Sequence, residues 1–389
     1  MSGSYKAHFR RFLEAAPERL HFAAHSHHYW PDVTFEAQVQ CWEDAARLTG
    51  GKWEVVLGEV LPEVQRGIAR HLNLPDPSSL AFAPNTHEFV KRLLSCLPAE
   101  RVPRILTSDG EFHSFTRQIA RLEEDGLAEV TRVAVEPFDS FAERFAAAAS
   151  KGGHDMIFVS QVFFNSGFAL TGLTALLAGL PAEPFVVIDG YHGFLARPTD
   201  LDAVAARAFY LAGGYKYAMS GEGVCFLHAP PGYGLRPRDT GWYAAFGKLT
   251  QAGGGVAYAG DGGRFFGATF DPVGLYRMRA VLRLLEDLRL DAAGIHAHAR
   301  ALQDRFLKGL EAWPNSVLPL ERLVVDPRVQ PCGNFLTFDL GDEAASGLHA
   351  GLAAAGVATD YRGSRLRFGF GLYQDAVDVD AILGRLAAI

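Results

Sequence analysis

The sequence predicts an α/β protein: a largely parallel seven-stranded sheet covered by helices, followed by a smaller C-terminal α+β domain. Three observations carry that expectation. Short, continuous apolar runs alternate with helical patterns between about residues 79 and 227, as strands buried on both faces do. The pattern changes after about Pro272, where two long helical stretches come first and strands become sparse. The chain has 389 residues, 49% of them hydrophobic and 21% charged, enough for a large core and an appended domain.

Residues from about 34 to 49 and from 59 to 72 read as amphipathic helices. Ser79–Ala83 is a short apolar strand, after which Asn85-Thr86 caps a helix running through Val90 to Leu97. Strands then follow at Arg104–Thr107, Val130–Val135, Met156–Ser160, Phe185–Ile188, Ala208–Ala212 and Gly223–Leu227. Helices are expected between them at Phe115–Leu122, Phe138–Ala149 and within Leu170–Leu180. Beyond Pro272 the helices are Leu275–Leu288 and Ala292–Trp313, followed by a strand at Asn334–Phe338 and a helix to about Ala355. A strand at Leu366–Phe370 and a helix at Val377–Leu386 close the chain. The expected organisation is an N-terminal segment (1–55) packing on the small domain, a large domain (56–274) and a C-terminal small domain (275–389).

Net charge is −7 and no basic stripe appears, so nucleic-acid binding has no electrostatic support. No run of about 18 apolar residues occurs, and Met1–Arg10 lacks an apolar signal core. Cys41, Cys96, Cys225 and Cys332 are far apart, with no metal-ligand spacing. These features predict a cytoplasmic protein that binds neither membrane nor metal. The His25-Ser26-His27-His28 cluster has no carboxylate or thiol at ligand spacing beside it.

The chemistry gathers at strand ends, where open α/β sheets bind ligands. Asp189 closes the run Phe185–Ile188, and Lys216 follows the next strand 27 positions later. An acid and a lone Lys at adjacent strand ends suit pyridoxal phosphate (PLP). The amine condenses with the cofactor aldehyde, and the carboxylate keeps the pyridine nitrogen protonated. Around this pair stand further candidates. Thr86 and His87 begin a helix whose N-terminus can hold a phosphate. Phe112 can lie on the ring face. His192 can contact the cofactor or orient Asp189, and Tyr215 can donate to phosphate or to a reacting group. Arg365 and Arg367 share one face of their strand, with Leu366 and Phe368 on the other, and an Arg fork suits an amino acid's carboxylate.

Several segments resemble kynureninase and, more widely, the class V aminotransferase branch of fold-type-I PLP enzymes. They are Asp189-Gly190-Tyr191-His192, Pro198-Thr199-Asp200-Leu201, Tyr215-Lys216-Tyr217, Phe112-His113-Ser114, Val162–Gly167, Gly241-Trp242 and Leu366-Arg367-Phe368-Gly369-Phe370. The resemblance covers nearly the whole chain. It implies the fold-type-I PLP-dependent transferase fold and a homodimer with the active site at the subunit interface. It also implies that Trp242 and Thr269 reach the cofactor, Trp242 across the dimer, and that Arg367 holds substrate carboxylate. The implied reaction is hydrolytic Cβ–Cγ cleavage of kynurenine, or a related amino acid, to alanine and an aryl acid.

The chain departs from that pattern at Ala24-His25-Ser26-His27-His28 and at Thr269-Phe270-Asp271-Pro272. The first replaces a segment at the site's mouth, so His25, Ser26 and His28 are expected to line the substrate pocket. An aminotransferase or β-eliminating lyase would use the same Lys and Asp. A cysteine desulfurase would need a Cys between Thr359 and Arg365, where there is none; Cys332 lies one strand too early.

Overall fold

The computed structural model describes residues 4–232, 235–245, 255–313 and 316–389. In chain order its strands are β1 (Leu20–His21), β2 (Leu80–Ala83), β3 (Arg104–Ser108), β4 (Glu129–Val133), β5 (Met156–Ser160) and β6 (Phe185–Asp189). They continue with β7 (Ala208–Gly213), β8 (Cys225–His228), β9 (Phe335–Asp339), β10 (Val357–Ala358), β11 (Asp360–Arg362) and β12 (Arg365–Gly369). Seven of them form one sheet in the order β2-β8-β7-β6-β5-β3-β4.

That sheet is parallel except for β8, which runs antiparallel to both neighbours. The cause is local. Only residues 214–224 join β7 to β8, too few for the helical crossover that a parallel pair needs. Every residue of β5 and β7 is buried, as their uninterrupted apolar sequences require. Edge strand β4 is mostly exposed and ends at Val133, two residues earlier than its sequence suggests. Val135 N–H leaves the ladder to donate to Asp109 Oδ1 at 2.9 Å.

A second sheet, β11-β12-β9, is antiparallel, and β1 pairs in parallel with β10. Strands β1, β10 and β11 are not among the elements expected above, being two or three residues long and too short to show a period. These elements surround a smaller core containing Phe22, Phe306, Leu336, Phe338, Leu366, Phe368 and Ile382. Each such side chain contributes about 1.5–3 kcal/mol when fully buried.

The N-terminal segment divides between the two cores. Phe22 enters the smaller core, whereas Phe9 and Tyr29 join the larger one. Helix Val33–Leu48 packs on helix Val273–Asp287. The latter contributes Leu275, Met278, Val281 and Leu285 to the larger core, so it belongs with the large sheet by packing despite following Pro272. No helix among the described residues is long and apolar enough to cross a membrane.

Candidate active site

Parallel strands bring their carboxyl ends to one edge, and here that edge carries Ser108, Ser160, Asp189 and the turn after Gly213. A cavity of about 240 Å³ opens there, lined by Thr86, Phe112, Asp189, His192, Tyr215 and Lys216 among others. Glycines let the chain close around it. A Cβ at Gly190 would fall on the Tyr210 ring, and one at Gly213 on the Cys225 thiol and the Tyr191 hydroxyl.

Lys216 is buried at the cavity floor, its Nζ 2.6 Å from His192 Nε2. The rings of Tyr191, Phe112 and Tyr215 surround it, with centroids 4.6, 5.3 and 5.5 Å from Nζ. Desolvation pushes the amine down to about 7, against the opposing pull of Asp189. Desolvation also holds the His192 imidazole well below its usual range, so it is neutral and accepts from the amine. The Tyr215 hydroxyl is pushed up to about 12 by burial, and its ring stacks on His27 at 5.4 Å. His192 thus contacts Lys216 rather than Asp189.

Asp189 is held by its own turn, Oδ1 accepting from Tyr191 N–H at 2.9 Å. Burial raises its pKa above the ordinary carboxylate range. Behind it lies an acid whose role the sequence did not reveal. Glu111 accepts from Ser108 Oγ and Ser160 Oγ, both at 2.5 Å, and from Ser160 N–H at 3.2 Å. Ser160 is also the register partner of Asp189 on the adjacent strand.

Desolvation pushes Glu111 up to about 8 from an ordinary 4.5. The folded state therefore holds a proton that the unfolded chain has released. Stability from this group is fully present below about 4.5 and declines as pH rises towards 8. Glu111→Gln should remove that decline, seen as a flatter dependence of Tm on pH between about 5 and 8. An unchanged slope would show that Glu111 is ionised in the fold.

The residues fit PLP. Among the hydrogen bonds of the described residues, the Asp189 carboxylate accepts only the one from Tyr191 N–H, and a desolvated carboxylate facing the cavity calls for a cationic partner such as a protonated ring nitrogen. Helix Thr86–Leu94, capped by Asn85 Oδ1 on Glu88 N–H at 3.1 Å, points its N-terminus at the cavity. His87 Nδ1 and His192 Nδ1 are both buried without a partner. Phe112 precedes helix His113–Glu124 and packs edge-on against Phe164. Trp242 and Thr269 lie elsewhere. Trp242 Nε1 donates to Thr269 Oγ1 at 3.2 Å on the surface, and neither residue lines the cavity of its own chain.

Arg367 is buried, with Nη1 donating to Phe164 O at 2.6 Å and Nη2 to the Asp360 carboxylate. Burial lowers its pKa to about 10, and Asp360 acts to raise it. The guanidinium sits just behind Phe164, which lines the cavity. Arg365, on the same strand face, instead pairs with Glu136 at 2.8 Å and Asp339 at 3.3 Å.

The expectation that His25, Ser26 and His28 line the cavity needs correction, because none of them does. His28 is buried among Phe9, Tyr217 and Tyr373, its Nδ1 2.6 Å from Tyr29 O. Aromatic packing takes it away from the site. Ser26 is half-buried with its hydroxyl on His27. His25 comes nearest, stacked on Phe335 at 4.7 Å and 3.8 Å from Asp360. Phe335 also touches the His192 ring, at 5.4 Å.

Comparison with known proteins agrees with this geometry. The isopenicillin N epimerase of Streptomyces clavuligerus is 32% identical over 213 residues, and the chain spans about half the length of that relative (51%), as the match spans 51% of this chain. The solved structure of the cystine C–S lyase C-DES with cysteine persulfide superposes with a TM-score of 0.78 at 17% identity, covering 95% of this chain and 97% of that one. A cysteine desulfurase from Thermococcus onnurineus NA1 gives 0.78 at 17% identity, over 98% and 97% of the two chains. These structures share the fold-type-I arrangement. The aminotransferase class-V family matches residues 51–382, and the chain belongs to that PLP-dependent family.

Proposed function

We propose that this protein is a PLP-dependent lyase that takes the α-proton from a small α-amino acid and expels a β-substituent. Bound PLP supplies an electron sink for the pair left on Cα. Lys216 takes the proton. Its contact with His192, 2.6 Å away in a buried site, is the observation that carries the reading, because desolvation leaves that amine able to act as a base near neutral pH. Asp189 would sustain the charge on the ring nitrogen. Thr86 and His87 would hold the phosphate, Phe112 would cover the ring, and Tyr215 would donate a hydrogen bond. Arg367 would take the substrate carboxylate. Cofactor and substrate would share the cavity of about 240 Å³ that these residues line.

The thiols argue against a desulfurase that carries sulfur on its own Cys. Cys332 is buried, with its Sγ on Phe335 O at 3.3 Å and its pKa pushed up to about 12. Cys225, which lines the cavity, is likewise raised to about 12. A C–S lyase of the kind represented by C-DES is the reading these thiols leave open.

Kynurenine cleavage is the second reading. It is favoured by the Leu366–Phe370 segment and by the packing of Phe164 against Phe112 and His113, at 5.3 and 5.0 Å, which offers an aromatic wall. The two readings part on products. Holoenzyme should release pyruvate and ammonia from L-cystine or β-chloro-L-alanine. Anthranilate and alanine from L-kynurenine, with no pyruvate from the other two, would reverse the assignment.

A homodimer accounts for Trp242. That side chain is 43% exposed and stands outside its own cavity with Thr269, where a second copy could receive it. The four free cysteines suit a reducing, cytoplasmic setting.

A further inference from the structure

Arg367 is already engaged. The Asp360 carboxylate holds its Nη2, Phe164 O takes its Nη1, and Nε is buried without a partner. A substrate carboxylate arriving here would place two anions on one buried cation, a costly arrangement in a dry site. The nearby His25 does not supply a second cation. It lies 3.8 Å from Asp360 Oδ2, wholly buried, with neither ring nitrogen hydrogen-bonded, and desolvation keeps it neutral. Arg362 does. Its Nη1 donates to the other Asp360 oxygen, Oδ1, at 2.8 Å, and its side chain is half-exposed at 48%. Asp360 therefore stands between a buried Arg and a solvated one.

We propose that Asp360 is a resident carboxylate that competes with the substrate carboxylate for Arg367 and gives way towards Arg362 when substrate binds. The inference rests on Arg367 as the carboxylate site proposed above. It makes Asp360 a determinant of affinity and specificity: a substrate lacking a carboxylate gains nothing from displacing it. The exchange is balanced in charge, with two guanidinium groups and two carboxylates present in the bound state.

The test is a titration of holoenzyme with L-alanine and with L-alaninamide, followed by the cofactor's visible absorption. Asp360→Asn keeps the shape and removes the competing charge. It should tighten L-alanine about tenfold and leave L-alaninamide unchanged. Arg362→Gln, at a half-exposed position that the fold tolerates, should weaken L-alanine about threefold or more by removing the alternative host. If Asp360→Asn binds L-alanine no better than the parent, or tightens both ligands equally, the competition is overturned. Arg362→Gln with unchanged L-alanine affinity overturns it as well. Arg367→Lys separates the two levels. Unchanged L-alanine affinity in that variant removes the carboxylate reading and this inference with it. A loss there, with no gain in Asp360→Asn, removes this inference alone.

Discussion

Lys216→Ala is expected to lose turnover entirely, together with the covalent bond between protein and cofactor. Among the described residues the amine is the one Lys on the cavity wall, and no other lining group there can both bond the aldehyde and carry the α-proton. His192, its partner at 2.6 Å, is a neutral imidazole that cannot form the same bond. Borohydride treatment followed by mass measurement reads the outcome directly. The parent should retain a reduced adduct and the variant none. A normal yield of adduct in the variant would move the attachment point to another Lys.

Asp189→Asn should cost about 2–4 kcal/mol of transition-state stabilisation, or roughly 30- to 1,000-fold in kcat. Asn keeps the size and can still accept from Tyr191 N–H at 2.9 Å, so the turn should survive while the charge is lost. The measurement is kcat at saturating PLP on whichever amino acid gives product in the screen above. A value within about threefold of the parent would show that Asp189 does not set the electron demand of the ring.

The large sheet was legible because its strands are continuous apolar runs ended by polar residues. Asp189 and Lys216 stood out for that reason. The small sheet was half hidden, since β11 has three residues and its partner β12 carried the whole apolar signal. The alternation of β12 did foretell that Leu366 and Phe368 face the core, opposite Arg367. It could not tell that Arg367 would meet Asp360, because the three residues of β11 are too few to show a strand in the sequence, and without β11 there is no register to read. Glu111 was visible at the end of β3, but nothing local distinguishes a buried acid from a solvated one. Its two serine donors, Ser108 and Ser160, are 52 residues apart in sequence. The His25–His28 segment misled for a related reason. Three imidazoles in four residues suggest a polar task, whereas the Tyr and Phe rings that absorb His28 come from distant parts of the chain.

The position of His25 bears on how the protein is made. His25 seats against Phe335 and against Gly369, where any Cβ would strike its backbone N and ring. Residues near the first and last parts of the chain thus pack together beside Arg367 and His192, outside the cavity lining. A ribosome delivers Asp189 and Lys216 well before Phe335, Arg367 and Gly369. The nascent large sheet can therefore assemble its cofactor end while its substrate end is still open. Only a chain translated through β12 has Arg367 and a seat for His25, so the carboxylate site proposed for Arg367 is completed last, at the end of synthesis.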